Sequence, residues 1–216
     1  MSGVWCSGTN SHSRVVATVG GDHIPMAALD AREAHLRASP LAGALPARGT
    51  SEGRQLRRWL TQLLVTERVV AVEAATRDLR QDGAPTEHEL LPDATARLEI
   101  GSVASAVLTE SALARALFAD VTADVDVTEQ DIAAYHARNP FRFAGARRTA
   151  TGWDLAPSEP PPLADVCAAI AAELRGAARR RAFATWLDGR RAELVRLEPG
   201  YEHPGDPRQP DNTHKH

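Results

Sequence analysis

Three histidines near the C-terminus, His203, His214 and His216, are the residues best suited to chemistry in this chain of 216 residues. They lie in the stretch YEHPGDPRQPDNTHKH, residues 201–216. In an extended chain, His214-x-His216 puts both imidazoles on one side, within reach of a single ion. His203 supplies a third ligand if the tail folds back around Pro204-Gly205 and Pro207, and Glu202, Asp206 and Asp211 offer carboxylates nearby. Three nitrogen or oxygen donors with one open position form the pattern of a catalytic zinc, copper or iron site. The plainer alternative is a solvated, proline-rich terminus with incidental histidines. His23 and His136 are further candidate ligands, because both sit at joints between elements where such a tail could dock.

A second set of residues suits a pocket. Tyr135, Trp153 and Arg180 are candidates to line one: Trp153 stands in an irregular stretch where it could cover a groove, and a guanidinium recognises carboxylate or phosphate bidentately. Arg180 belongs to a cluster with Arg175, Arg179, Arg181, Arg190 and Arg191, for which the simpler reading is pairing with neighbouring acids on a solvated helix face. Trp59 and Trp186, at helical spacing, read as packing residues. No G-x-S-x-G, G-x-G-x-x-G, G-x-x-x-x-G-K-[ST] or H-E-x-x-H occurs, so a Ser nucleophile, a Rossmann or P-loop phosphate cradle and a zincin have no motif.

The elements that must position these residues are helical. Alanine and leucine dominate the 43% hydrophobic content, and aromatics make up only 5%, which favours closely packed helices over a sheet sandwich. Val15 to Val19 followed by Gly20-Gly21-Asp22 and His23-Ile24 predicts a tight hairpin, and Pro25 opens a helix through Met26, Leu29 and Leu36. Residues 39–50 form a loop, and Leu56 to Val70 carry a helical period. TEHE at Thr86 and TEQD at Thr128 are capping signals, the second opening a helix through Ile132 and Tyr135 that stops before Asn139-Pro140. Residues 94–120 hold further helices anchored by Leu108, Leu113, Leu117 and Phe118. The stretch 141–162 has room for one short strand. From Leu163 the helical pattern resumes, with Val166, Cys167, Ile170 and Leu174 on one face. Phe183, Trp186, Leu187 and Leu194 fall on another roughly 200° away, so the helix either bends near Gly176 or buries two faces.

These pieces resemble, in order, the helical domain of the SurA/PpiC group of parvulin-type prolyl isomerase chaperones. VVATVGGDHIPMAALDA looks like that family's opening hairpin and first helix. VTEQDIAAYHARNPFRF is similar to the helix that leads into the parvulin domain. TGWDLAPSEPPPLADVCAAIAAELRGAARRRAFATWLDGRRAELV is similar to the segment that returns from it. The stretch 141–162 is far too short for a parvulin domain, and the family's catalytic residues have no counterparts here. The resemblance therefore implies a helical chaperone-like scaffold with an interhelical groove for extended peptide, and not a prolyl isomerase.

The expected fold is mostly α: a SurA N-terminal-domain-like helical domain with a small N-terminal β-hairpin and an irregular C-terminal tail. Its parts are a polar N-terminus (1–13), a hairpin and helical domain (14–140), an irregular linker in place of a parvulin domain (141–162), returning helices (163–198) and the tail (199–216). Length also fits two small domains. Net charge of −3 gives no reason to expect nucleic acid or an anionic membrane, and no segment approaches the roughly 18 apolar residues of a span. Two isolated cysteines, Cys6 and Cys167, and the lack of a basic-then-apolar N-terminal stretch lead to an expectation of a cytoplasmic protein. Cys167, on an apolar face, is expected to be inert.

Two functions follow as expectations. In the first, the tail histidines hold a transition metal beside the groove, and the protein acts on a small molecule or delivers the metal. In the second, the groove binds extended peptide and the protein is a holdase or assembly factor without catalysis. The first is preferred, because a peptide-binding chaperone has no evident need of three tail histidines. A homodimer is compatible with both.

Overall fold

The computed structural model describes residues 14–144, 147–148, 154–155 and 159–205. It is mostly helical, with a small three-stranded antiparallel sheet. The chain divides into two compact units. One combines Met1–Asp78 with Gly189–His216, and the other is Leu79–Asp188.

In the first unit, β1 (Val15–Val19) and β2 (Asp22–Pro25) form the expected hairpin. Gly20 and Gly21, at φ of 58° and 97°, make its two-residue turn, which needs left-handed backbone at both positions. Ala17 and Val19 are buried on one face of β1 and Val16 on the other, so both faces are covered. The hairpin leads directly into α1 (Met26–Arg37), with Pro25 as the N-cap residue. A loop with one 3₁₀ turn, Ala42–Ala44, connects to α2 (Ser51–Thr76), whose cap is Thr50 accepting from Gly53 N–H at 3.0 Å. No sequence signal announced the third strand. β5 (Val195–Leu197) pairs antiparallel with β1, giving the order β2-β1-β5.

α2 buries a polar stripe as well as an apolar one. Arg58, Gln62, Thr66 and Glu73 recur at helical spacing and are all buried. Arg191 donates through Nη1 to Thr66 Oγ1 at 2.6 Å and through Nη2 to Gln62 Oε1, while Arg190 Nε donates to Glu73 Oε1 at 2.8 Å. These bonds hold the C-terminal segment on α2. A buried donor or acceptor left unmatched costs about 1–3 kcal/mol, a cost these bonds avoid at Gln62, Thr66 and Glu73.

The second unit opens with short helices: α3 (Glu87–Leu90), α4 (Ala94–Ile100), α5 (Ser102–Glu110), α6 (Ala112–Val121) and α7 (Glu129–Arg138). Both predicted capping boxes form. Thr86 and Glu89 cap α3, and Thr128 and Asp131 cap α7. In the stretch 141–162 there are two two-residue strands where one was expected, β3 (Arg147–Arg148) and β4 (Asp154–Leu155), paired with each other. Among the described residues, no single helix is long and apolar enough to cross a membrane.

α8 (Leu163–Leu194) is one continuous helix, its residues from Gly189 onward counted with the first unit. Its buried positions are Val166, Ile170, Arg180, Phe183 and Leu187. They span roughly 140° at 100° per residue, a drift and not two separate faces. Arg180 bridges the gap that an apolar pattern cannot register. Cys167, expected on a buried apolar face, is exposed. Phe183 stacks between Phe118 and Trp186, with ring centroids 5.0 and 5.5 Å away.

Candidate functional site

The second unit carries a cleft of about 550 Å³ built by α4, α7 and α8. Two of the three residues expected to line a pocket, Tyr135 and Arg180, line this one. The third, Trp153, lies outside the described residues. Arg142, Glu173 and Arg181 also line it, above a floor of small and apolar side chains that includes Ala172, Leu174 and Ala177.

Arg180 is the buried anchor. With 9% of its side chain exposed, it donates Nε–H to Glu99 Oε2 at 2.7 Å and Nη1–H to the Leu90 carbonyl at 3.2 Å. Gly176, one turn earlier, gives it room to fold along α8: a Cβ there would lie 3.2 Å from Arg180 Nη1. Arg180 is thus spent on holding α8 to α3 and α4 within the unit, so its guanidinium positions the cleft and does not reach for a ligand.

Tyr135 and Arg142 converge on one acceptor. The phenol donates to Glu173 Oε1 at 3.0 Å, and Arg142 Nη2 donates to the same oxygen at 3.3 Å. Burial, then the bond to Glu173 and its charge, raise the Tyr135 hydroxyl above its ordinary value. Tyr135 is therefore a neutral donor near pH 7 and a poor base. The other carboxylates of the lining are committed too. Glu89 closes the α3 capping box and Asp93 accepts from Ala96 N–H at 2.8 Å to cap α4. Arg181 differs: it is exposed at the cleft and has no hydrogen-bond or ion-pair partner among the described residues. What the described lining offers is binding chemistry, namely one open guanidinium, a phenol, a second guanidinium shared with a carboxylate, and an apolar floor. Leu98, 82% exposed, follows Arg97 on α4 beside Glu99, and exposed Phe141 precedes Arg142.

Arg175 and Arg190 follow the plainer sequence reading and pair with acids, whereas Arg179 and Arg191 bond neutral side chains. Arg175 pairs with Asp126 at 2.8 Å, and Arg179 Nε donates to Thr122 Oγ1 at 2.8 Å while its Cζ stands 5.4 Å over the Phe118 ring.

Of the candidate metal ligands, His214, His216, Asp206 and Asp211 lie outside the described residues. The three candidate histidines within the described residues, His23, His136 and His203, are each engaged locally. His203 Nδ1 accepts from Gly205 N–H at 3.0 Å, which places the ring proton on Nε2 and leaves no lone pair for a metal until that turn opens. His136 Nε2 donates to the Pro161 carbonyl at 2.9 Å, and His23 Nδ1 lies 3.1 Å from Thr18 Oγ1. Among the described residues, no three of His, Cys, Asp and Glu gather in a way that could hold a metal.

Sequence reasoning missed Glu99, Arg142 and Glu173 as lining residues. Periodicity does not reveal such pairs, because the partners stand 81 and 31 positions apart in the chain. No curated protein and no solved structure matches the chain. Residues 15–52, which span the hairpin, α1 and the start of α2, match the model of a family of unknown function (DUF7158).

Proposed function

We propose that the protein binds an extended peptide in the cleft of Leu79–Asp188, as a holdase or assembly factor without catalysis. The observation that carries this reading is the pairing of an open guanidinium, Arg181, with an apolar floor and two exposed apolar side chains, Leu98 and Phe141, at positions next to lining residues in sequence. A concave surface lined by apolar side chains with a few polar groups placed among them is the usual form of a binding site. Arg181 would take an acidic side chain or terminal carboxylate of the peptide, and the floor an apolar side chain. The test is suppression of aggregation of an unfolded client by the full chain. Arg181→Glu combined with Leu98→Asp should abolish it without loss of thermal stability, since both residues are solvent-facing. Unchanged suppression by that double variant would dismiss the cleft.

A second reading keeps the tail as a metal ligand set, in a protein that acts on a small molecule or delivers zinc, copper or iron. It is supported by the anchoring of the tail's first residues: Arg58 Nε donates to the Gly200 carbonyl at 3.2 Å and Gln62 Nε2 to the Tyr201 carbonyl at 3.0 Å. The tail therefore leaves α2 from a fixed point. Metal content of untagged protein, compared with a chain ending at Gly200, decides it. Stoichiometric metal lost on truncation supports the reading, and equal metal content in the two sinks it.

A further inference from the structure

A second cleft, of about 430 Å³, lies wholly in the first unit between α1, the loop before α2 and the first turns of α2. At its base is Glu33, 2% exposed. Three guanidinium groups converge on this carboxylate: Arg37 Nε at 2.8 Å, Arg48 Nε at 3.1 Å and Arg57 Nη1 at 2.5 Å. Arg57 also binds Asp30 at 2.7 Å.

The three arginines are not equivalent. Arg37 and Arg57 are mostly covered and each spends two donors within the unit, Arg37 on Glu33 and the Pro46 carbonyl, Arg57 on Glu33 and Asp30. Arg48 is 67% exposed and binds Glu33 through Nε alone. Its terminal nitrogens, the fork that grips an oxyanion, have no partner among the described residues.

The loop that carries Arg48 is rigidly held. Arg37 Nη2 donates to Pro46 O at 2.9 Å, Thr50 Oγ1 to Ala47 O at 2.9 Å, and Arg54 Nη1 to Gly49 O at 3.0 Å. Ala47 O packs so closely on α2 that a Cβ at Gly53 would sit 2.3 Å from it. The exposed fork is thus presented from a fixed backbone, which lowers the ordering cost of binding. Charge favours an anion as well. Arg37, Arg48, Arg54 and Arg57 face Asp30 and Glu33, with Glu52 acting on Arg54, four positive against three negative charges. The nearby Glu52 carboxylate is turned back onto its own N–H and the Ser51 and Thr50 side chains. The matched segment 15–52 includes Asp30, Glu33, Arg37 and Arg48.

We infer that this cleft is a binding site for a small oxyanion, a carboxylate or phosphate group of a metabolite, gripped by the Arg48 fork over the Glu33–arginine cluster. Glu33 acts as the internal anion that sets the guanidinium groups in place, and the ligand takes the donors that remain. Calorimetric titration of the full chain with succinate and with inorganic phosphate tests it, the two arms separating a carboxylate ligand from a phosphate one. Saturable binding of either anion that weakens about ten-fold or more in Arg48→Gln bears the site out. Arg48→Gln leaves Arg37 and Arg57 on Glu33, so its fold is retained, which an unshifted melting temperature verifies. Absence of saturable binding by both anions, or equal binding by Arg48→Gln, overturns the inference.

Discussion

Both units bury charge, and Glu33 in the first and Arg180 in the second are accommodated by opposite means. In the first, the anion Glu33 is enclosed by three cations. In the second, the cation Arg180 is matched by a single carboxylate, Glu99, itself about one-third exposed, together with one backbone carbonyl. A surrounded charge depends on its ionisation, because three guanidinium groups would be left facing one another without it. A charge with one half-hydrated partner depends more on geometry, because water can replace that partner. The first arrangement is therefore stiff and pH-sensitive, and the second is adaptable.

The largest effect tests the first arrangement. Glu33→Gln should destabilise the protein by about 3–5 kcal/mol, as removal of one member of a buried ion cluster does, measured by chemical denaturation near pH 7. A loss under about 1 kcal/mol would show the cluster to be solvated and would erase the contrast. Acid should reproduce part of that loss. Burial by itself would raise the Glu33 carboxyl, but the bonds from Arg37, Arg57 and Arg48 outweigh it and lower it from 4.5 to about 2. Because the folded value is the lower one, the stabilisation is fully present above about pH 5 and disappears as pH falls through 2. Denaturation midpoints between pH 6 and 2 should fall steeply in the wild type and much less in Glu33→Gln.

Arg180→Leu should cost less, about 2–3 kcal/mol, since Glu99 can rehydrate while the Leu90 carbonyl loses a donor. A cost matching that of Glu33→Gln would mean that the two charges are equally dependent on their partners. Smallest of all is Gly176→Ala. Helix propensity favours alanine by about 1 kcal/mol, and the new methyl must displace Arg180 Nη1 by a few tenths of an ångström. The net change should stay within about 1 kcal/mol. A larger loss would show that Arg180 has no freedom to shift, against the adaptable arrangement drawn here.

Local signals were the legible part of the chain. The Gly20-Gly21 turn, the threonine capping boxes and the helical class all followed from short-range rules, because their partners lie within a few residues. Tyr135 and Arg180 were legible as lining candidates by residue type, yet their acceptors, Glu173 and Glu99, were not. β5 was hidden because a three-residue strand exists only by pairing with β1. α8 misled for a related reason. Counting apolar residues alone split its buried stripe in two, where Arg180 occupies the gap. The tail from 206 onward, on which the metal expectation chiefly rests, lies outside the described residues.

By itself, the sequence determined where backbone turns and where helices begin, since glycine at positive φ and threonine at an N-cap act through their immediate neighbours. Tertiary structure alone decided which charges are buried. Glu33 has one readable partner four residues along, Arg37, but Arg48 and Arg57 reach it across a loop and from another helix. The ionisation of a buried carboxylate is the sum over every charge within a few ångströms, and that sum exists only once the chain has folded.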